Sequence, residues 1–257
     1  MIRIDLRELA GAHRPGVVVS DELRKPAIAT WLGRMTNEYQ SSFVFDALAA
    51  ELEACPELAE HAAEARAFAE EERRHGILCG AVVEALGGQA VTSVDNEPDF
   101  PTHAEVEIEE AILRNLMSIS CLSETVAVSL IGAEREVMPE GELKTLLTSI
   151  WADEIGHARF GWRLVVDHVP RLAPDAKRRM SGYLRASLRH LERHELSHLP
   201  ERGGFGEGAE AIGLCSGRDA RTLFYATVVR VILPRLGGLG LDASWAWQTR
   251  HAHRAAA

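Results

Sequence analysis

The chain has 257 residues, 46% of them hydrophobic and 26% charged, and carries a net charge of −10. That length and composition support one large globular domain with a substantial core. The negative balance disfavours a nucleic-acid backbone or an anionic membrane surface as the main partner.

Residues 1–20 read as a lead-in broken by Gly11, Pro15 and Gly16. The opening Met1-Ile2-Arg3-Ile4-Asp5 mixes charge with apolar side chains and lacks a signal-peptide core. Ser20 or Asp21 can cap a first long helix running to about residue 53, with Pro26 near its start. Along it Trp31, Met35, Glu38, Ser42, Phe45, Ala49 and Leu52 recur in alternating steps of three and four, which is one helical stripe. Cys55-Pro56 interrupts it, because proline is tolerated in a first turn but not in a helix interior.

A second helix over about 56–86 carries Leu58, Ala65, Phe68, Glu72, His75, Cys79, Val82 and Leu86 inward, and Gly87-Gly88 stops it. Residues 88–102 have no periodicity and contain Asp95, Asn96, Pro98 and Pro101, enough chain to cross the length of a bundle. A third helix over about 103–138 turns Leu113, Met117, Cys121, Glu124, Val128 and Ile131 inward. After Pro139, a fourth over about 140–168 does so with Leu143, Leu147, Ile150, Glu154, His157 and Leu164.

Beyond Pro170 the pattern predicts helix over 175–199, then a loop containing Gly203, Gly204, Gly206 and Gly208. An apolar run over 223–236 and a short segment holding Trp245 and Trp247 follow. These additions can cover the bundle, build a substrate pocket or form a homodimer contact. No apolar run reaches the ~18–20 residues of a membrane span. Cys55, Cys79, Cys121 and Cys215 form no Cys-x-x-Cys, so a soluble cytoplasmic protein with free thiols is expected.

Each of the four stripes holds a glutamate where an apolar residue is expected: Glu38, Glu72, Glu124 and Glu154. Two of them open Glu-x-x-His pairs, Glu72/His75 and Glu154/His157. Composition alone supplies roughly one such spacing by chance, and Glu195/His198 is read as that accident. Placement separates the other two from chance. Glu38 and Glu72 each lie 17 residues from Cys55, and Glu124 and Glu154 each lie 15 residues from Pro139. At about 1.5 Å of rise per residue, the two glutamates of each antiparallel hairpin reach one height, roughly 22–26 Å from the bend. One Glu from each of two helices and Glu-x-x-His from each of the other two is the ligand set of a carboxylate-bridged two-metal site.

The order Glu38, Glu72-x-x-His75, Glu124, Glu154-x-x-His157 resembles the ferritin-like di-iron carboxylate superfamily over about residues 22–168. The resemblance implies an all-α fold: a ferritin-like four-helix bundle with a long crossover between its second and third helices. The bundle would lie in a single domain spanning 1–257, with residues 170–257 as a helical extension. It implies two iron ions, or manganese or a mixed pair, held by Glu38, Glu72, His75, Glu124, Glu154 and His157. Carboxylate and imidazole suit Fe²⁺ or Mn²⁺. Superfamily oxygenases often carry an acid just before each metal-binding glutamate that hydrogen-bonds a ligand histidine. Glu71 and Asp153 stand there and look like residues that orient the imidazoles. Gly156 replaces the arginine common at its position.

The implied activity is O₂-dependent oxidation of a small organic molecule. Electrons would come from an external reductase or ferredoxin, since no flavin, nicotinamide or iron–sulfur motif occurs. The rival readings are an iron-handling or peroxide-removing ferroxidase without an organic substrate, and an interaction protein whose site has lost activity. Cys79 stands where ribonucleotide reductase places its radical tyrosine, and Ala127 where rubrerythrin has an extra glutamate. Cys79 and Cys121 read more simply as small core residues. Tyr39 points to another face, and His190, His194 and His198 suit a solvated face better than a metal stripe.

Overall fold

The computed structural model describes residues 1–95, 100–199, 201 and 204–252. Among them the chain is all-α apart from one two-stranded sheet. In chain order the elements are β1 (Ile2–Asp5), α1 (Arg7–Gly11), α2 (Asp21–Ala54), α3 (Ala62–Ala85), β2 (Val91–Val94), α4 (Ile108–Leu116), α5 (Thr125–Val137), α6 (Glu142–His168), α7 (Pro174–His198), α8 (Gly217–Thr227), α9 (Leu233–Gly238) and α10 (Ala243–Thr249). They fall into two compact units. Unit 1 comprises Met1–Thr102, Ile131–Asp153 and Gly204–Ser216; unit 2 comprises His103–Leu130, Glu154–Gly203 and Gly217–Ala257.

Unit 1 is built on the α2/α3 hairpin. The predicted stripe of α2 is buried, with Trp31, Met35, Ser42, Phe45, Ala49 and Leu52 at 0% exposure and only Glu38 left partly open. Each large apolar side chain withdrawn this way stabilises the fold by about 1.5–3 kcal/mol. Cys55 ends α2 in an extended conformation, which the following proline requires. A 3₁₀ turn over Ala59–His61 then delays α3 to Ala62, later than the expected start at residue 56. Glu53 pairs with Arg66 and Asp46 with Arg73, while the rings of Phe45 and Phe68 lie 5.7 Å apart. Partners thus separate symmetrically from the bend, as antiparallel helices demand.

The lead-in, expected to be irregular, holds β1 and α1, and the link holds β2. Ile2 pairs opposite Val94 and Ile4 opposite Thr92. Ile2 and Ile4 alternate with Arg3 and Asp5, and Val91-Thr92 is β-branched, a short period-two signal. The Asn96 and Pro98 expected in the link, and Gly203 of the glycine loop, lie outside the described residues. Segment 209–216 closes over Trp31, whose indole N–H donates to the Ile212 carbonyl at 2.8 Å. Gly213 there has φ +77°, and a Cβ on it would meet Glu134 Oε1 at 2.8 Å, so glycine is required. Glu134 is itself held by Arg34 at 2.9 Å.

Unit 2 contains the parts of the third and fourth helices that lie away from the Pro139 bend, the bend itself belonging to unit 1. Glu109 pairs with His168 at 2.8 Å, Ser120 packs against Gly161, and Trp162 donates to Thr125 Oγ1 at 2.9 Å. The third helix differs from expectation in two ways. It begins at Ile108, not residue 103, and it is π-helical over Met117–Glu124. Hydroxyls follow the wider turn: Ser123 Oγ donates to the Ser118 carbonyl and Thr125 Oγ1 to that of Ser120, each five residues back. Two consecutive steps of four, Leu113 to Met117 to Cys121, were the sequence trace of that slower rotation.

By length and composition alone, Ile108–Val137 is apolar enough to cross a membrane, with mean hydropathy 1.6 in its most apolar stretch. This corrects the expectation that no such run exists. Buried Leu113, Leu116 and Met117 share the helix with buried Glu110, Arg114 and Glu124, a pattern that suits the core helix of a soluble protein. Around α7, Glu110 accepts from Arg114 and Arg179, and Glu192 accepts from Arg250 and Tyr225, tying down the chain's last helices.

Candidate metal centre

Unit 1 brings three of the expected ligands together. Glu38 comes from α2, and Glu72 and His75 stand one helical turn apart on α3. One ligand atom from each lies within 4.8 Å of the others. His75 Nδ1 sits 3.5 Å from Glu38 Oε2 and 4.0 Å from Glu72 Oε2. The far side of the ring is fixed by Asp153, whose Oδ2 lies 2.9 Å from His75 Nε2 and also pairs with Arg74. A proton on Nε2, shared with that carboxylate, leaves the Nδ1 lone pair facing the glutamates.

Unit 2 repeats the arrangement. Glu124 ends the π-helical segment, and Glu154 and His157 again stand three residues apart on α6. Their ligand atoms also lie within 4.8 Å of one another. His157 Nδ1 is 3.3 Å from Glu154 Oε2, so this imidazole too presents Nδ1 to a carboxylate. Glu72, Glu154, His75 and His157 are at most 2% exposed, and Glu124 is 8% exposed.

The donor chemistry fits a metal ion. In each triad two carboxylates cancel the charge of one divalent cation, and the imidazole adds a neutral nitrogen donor. Three side chains leave coordination positions open. Carboxylates this deeply buried are costly without a compensating cation. A Glu/His group of this kind can hold a metal ion.

No family model, no curated protein and no solved structure matches the chain.

The ferritin-like resemblance accordingly rests on the helical architecture and on the triads themselves. Among the other sequence candidates, Glu71 is half-buried beside Glu72. Cys79 and Cys121 are buried in the core, and burial pushes the Cys121 thiol well above its usual range, as befits an inert packing residue. Tyr39 packs edge-on to Phe43 at 5.9 Å. His190, His194 and His198 form an exposed row on α7, with successive rings 6.2 and 4.9 Å apart. Among the described residues they join no metal-binding group. Arg74 was not singled out from the sequence. Its place between Arg73 and His75 gave no sign that it would reach an aspartate 79 positions away.

Proposed function

We propose that Glu38, Glu72, His75, Glu124, Glu154 and His157 bind two iron ions, which activate O₂ for oxidation of a small organic substrate. The observation that carries the reading is the repetition: two Glu, Glu, His sets, all of whose members but Glu38 are buried, each turning a histidine Nδ1 toward carboxylate. Each set, with three side chains, leaves positions open on an iron ion that prefers five or six ligands. Together they supply four carboxylates and two imidazoles, whose charge two divalent ions balance. Glu38, Glu72, His75, Glu124, Glu154 and His157 would hold the ions, with carboxylates supplying the charge and imidazoles the neutral donors.

When bound, two ferrous ions supply the electrons that reduce O₂. The chain's own residues do the rest. Asp153 holds the His75 ring, and Glu71, the acid before Glu72, is assigned the same kind of role toward a ligand imidazole. The apolar stripes around the ligands exclude water, which strengthens every electrostatic interaction inside. Electrons for further turnover would come from an external donor. An open groove in unit 2, lined by the sequence neighbours Thr125, Ile155 and Ala158 of the triad residues, favours an organic substrate over simple iron storage.

The test is anaerobic loading with Fe²⁺ followed by exposure to O₂, with the visible spectrum recorded through the reaction. A transient absorption band is expected. Iron that oxidises with no transient and leaves no oxidised organic product would point to iron handling instead. Failure to load iron would end both.

A further inference from the structure

Unit 2 carries an open groove of about 590 Å³. Its walls come from Thr125, Val128 and Ser129 on α5, from α6 residues between Ile155 and Asp167, and from Val231 and Arg235. Thr125, Ile155 and Ala158 directly follow Glu124, Glu154 and His157 in sequence. At about 100° of rotation per residue, the groove therefore runs along the helix faces adjoining the unit 2 triad.

The chemistry of the groove is uneven in a useful way. Arg159, Arg163 and Arg235 are all exposed on it, against a single carboxylate, Asp167. That is a formal excess of two positive charges in a chain whose net charge is −10. Among the described residues, neither Arg159 nor Arg235 has a carboxylate within ion-pair distance. Arg235 is held over the Trp162 ring, 4.9 Å from its centroid, and the Trp162 N–H is already taken by Thr125. The guanidinium is thus positioned in advance, with its donors left for a ligand. Beside these charges stand apolar side chains that nothing among the described residues covers: Val166 at 49% exposure and Val231 at 39%.

We propose that this groove binds a small organic anion, a carboxylate on an apolar body, as substrate for the adjacent centre. The carboxylate lies between Arg159 and Arg235, whose planar forks match its two oxygens. The body lies along Val166, Val231 and Ile155. The catalytic meaning of the site rests on the two-iron reading; the binding chemistry does not.

The experiment is calorimetric titration of the full chain with 1-naphthoate and with its neutral counterpart 1-naphthalenemethanol, repeated on Arg159→Gln and Arg235→Gln. Metal content is measured on the same samples. Naphthoate should bind, the alcohol should bind about tenfold more weakly or worse, and each substitution should weaken naphthoate about fivefold or more, as expected for loss of a charge-assisted contact. The metal-to-chain ratio should be unchanged in both variants. Equal binding of acid and alcohol, no binding of naphthoate, or indifference to both substitutions overturns the proposal. A chain that takes up no iron yet discriminates acid from alcohol retains the anion site and loses the two-iron reading, so the two failures are separable.

Discussion

Asp153, on α6, holds the His75 ring through a carboxylate oxygen 2.9 Å from Nε2. An acid directly before a Glu-x-x-His glutamate is visible in the sequence as a candidate for holding an imidazole. Which imidazole it meets is not, because that depends on how α6 is rotated and placed. Asp153 reaches His75, on the other hairpin, and not a ring within its own helical turn. Replacing it with asparagine keeps the shape and removes the charge that fixes the tautomer. Asp153→Asn should weaken metal binding about 10–100-fold in a chelator competition titration. Glu195→Ala, at the Glu-x-x-His spacing that forms no group, should leave affinity unaltered; equal losses from both would mean the pairs were wrongly sorted. Glu195 has a separate consequence. Burial pushes its carboxyl up from 4.5 to about 7. The folded chain then binds the proton more tightly than the unfolded one, so this contribution to stability is full below pH about 4.5 and is lost as pH rises through about 7. Glu195→Gln should narrow the gap between urea midpoints measured at about pH 5 and 7.5. A gap as wide as that of the parent chain would contradict the assignment.

At the scale of elements, the long stripes were legible because burial on one helix face forces a 3.6-residue period over several turns. The six apolar or small partners of Glu38 on α2 are all fully buried, as their spacing required. Short elements were not legible. Four-residue strands offer two alternations at most, and β1 and β2 each need the other before their backbones are satisfied. The π-helical segment left only a faint trace, since one additional residue per turn changes the stripe by a single step. Its contact with α6 makes a sharp prediction. A Cβ on Gly161 would stand 2.2 Å from Ser120 Cβ and 3.2 Å from the Leu116 carbonyl. Gly161→Ala should destabilise the chain by about 1–3 kcal/mol in thermal or urea denaturation. Gly182→Ala, in the exposed middle of α7 with nothing within 4 Å, should be neutral or stabilising by up to ~1 kcal/mol. The reverse order would mean that the close approach of Ser120 to Gly161 is misplaced.

At the scale of the whole molecule, composition indicated a folded acidic chain with a core, and Glu38, Glu72 and His75 offer ligand atoms within 4.8 Å of one another, as do Glu124, Glu154 and His157. The cationic groove escaped notice, because its arginines are dispersed over positions 159, 163 and 235 and combine only when α6 and α9 pack in unit 2. Buried carboxylates that need a cation also tie folding to metal. Saturating Fe²⁺ or Mn²⁺ should raise the melting temperature by several degrees, since a ligand at one hundred times its Kd adds about 2.7 kcal/mol per site. The measurement that bears most directly on the account is the number of ferrous ions bound per chain, by anaerobic titration of metal-free protein. Two tightly held ions per chain are predicted, falling when Glu72 or Glu154 is replaced by alanine; one ion or none in the unaltered chain would contradict the two-iron centre.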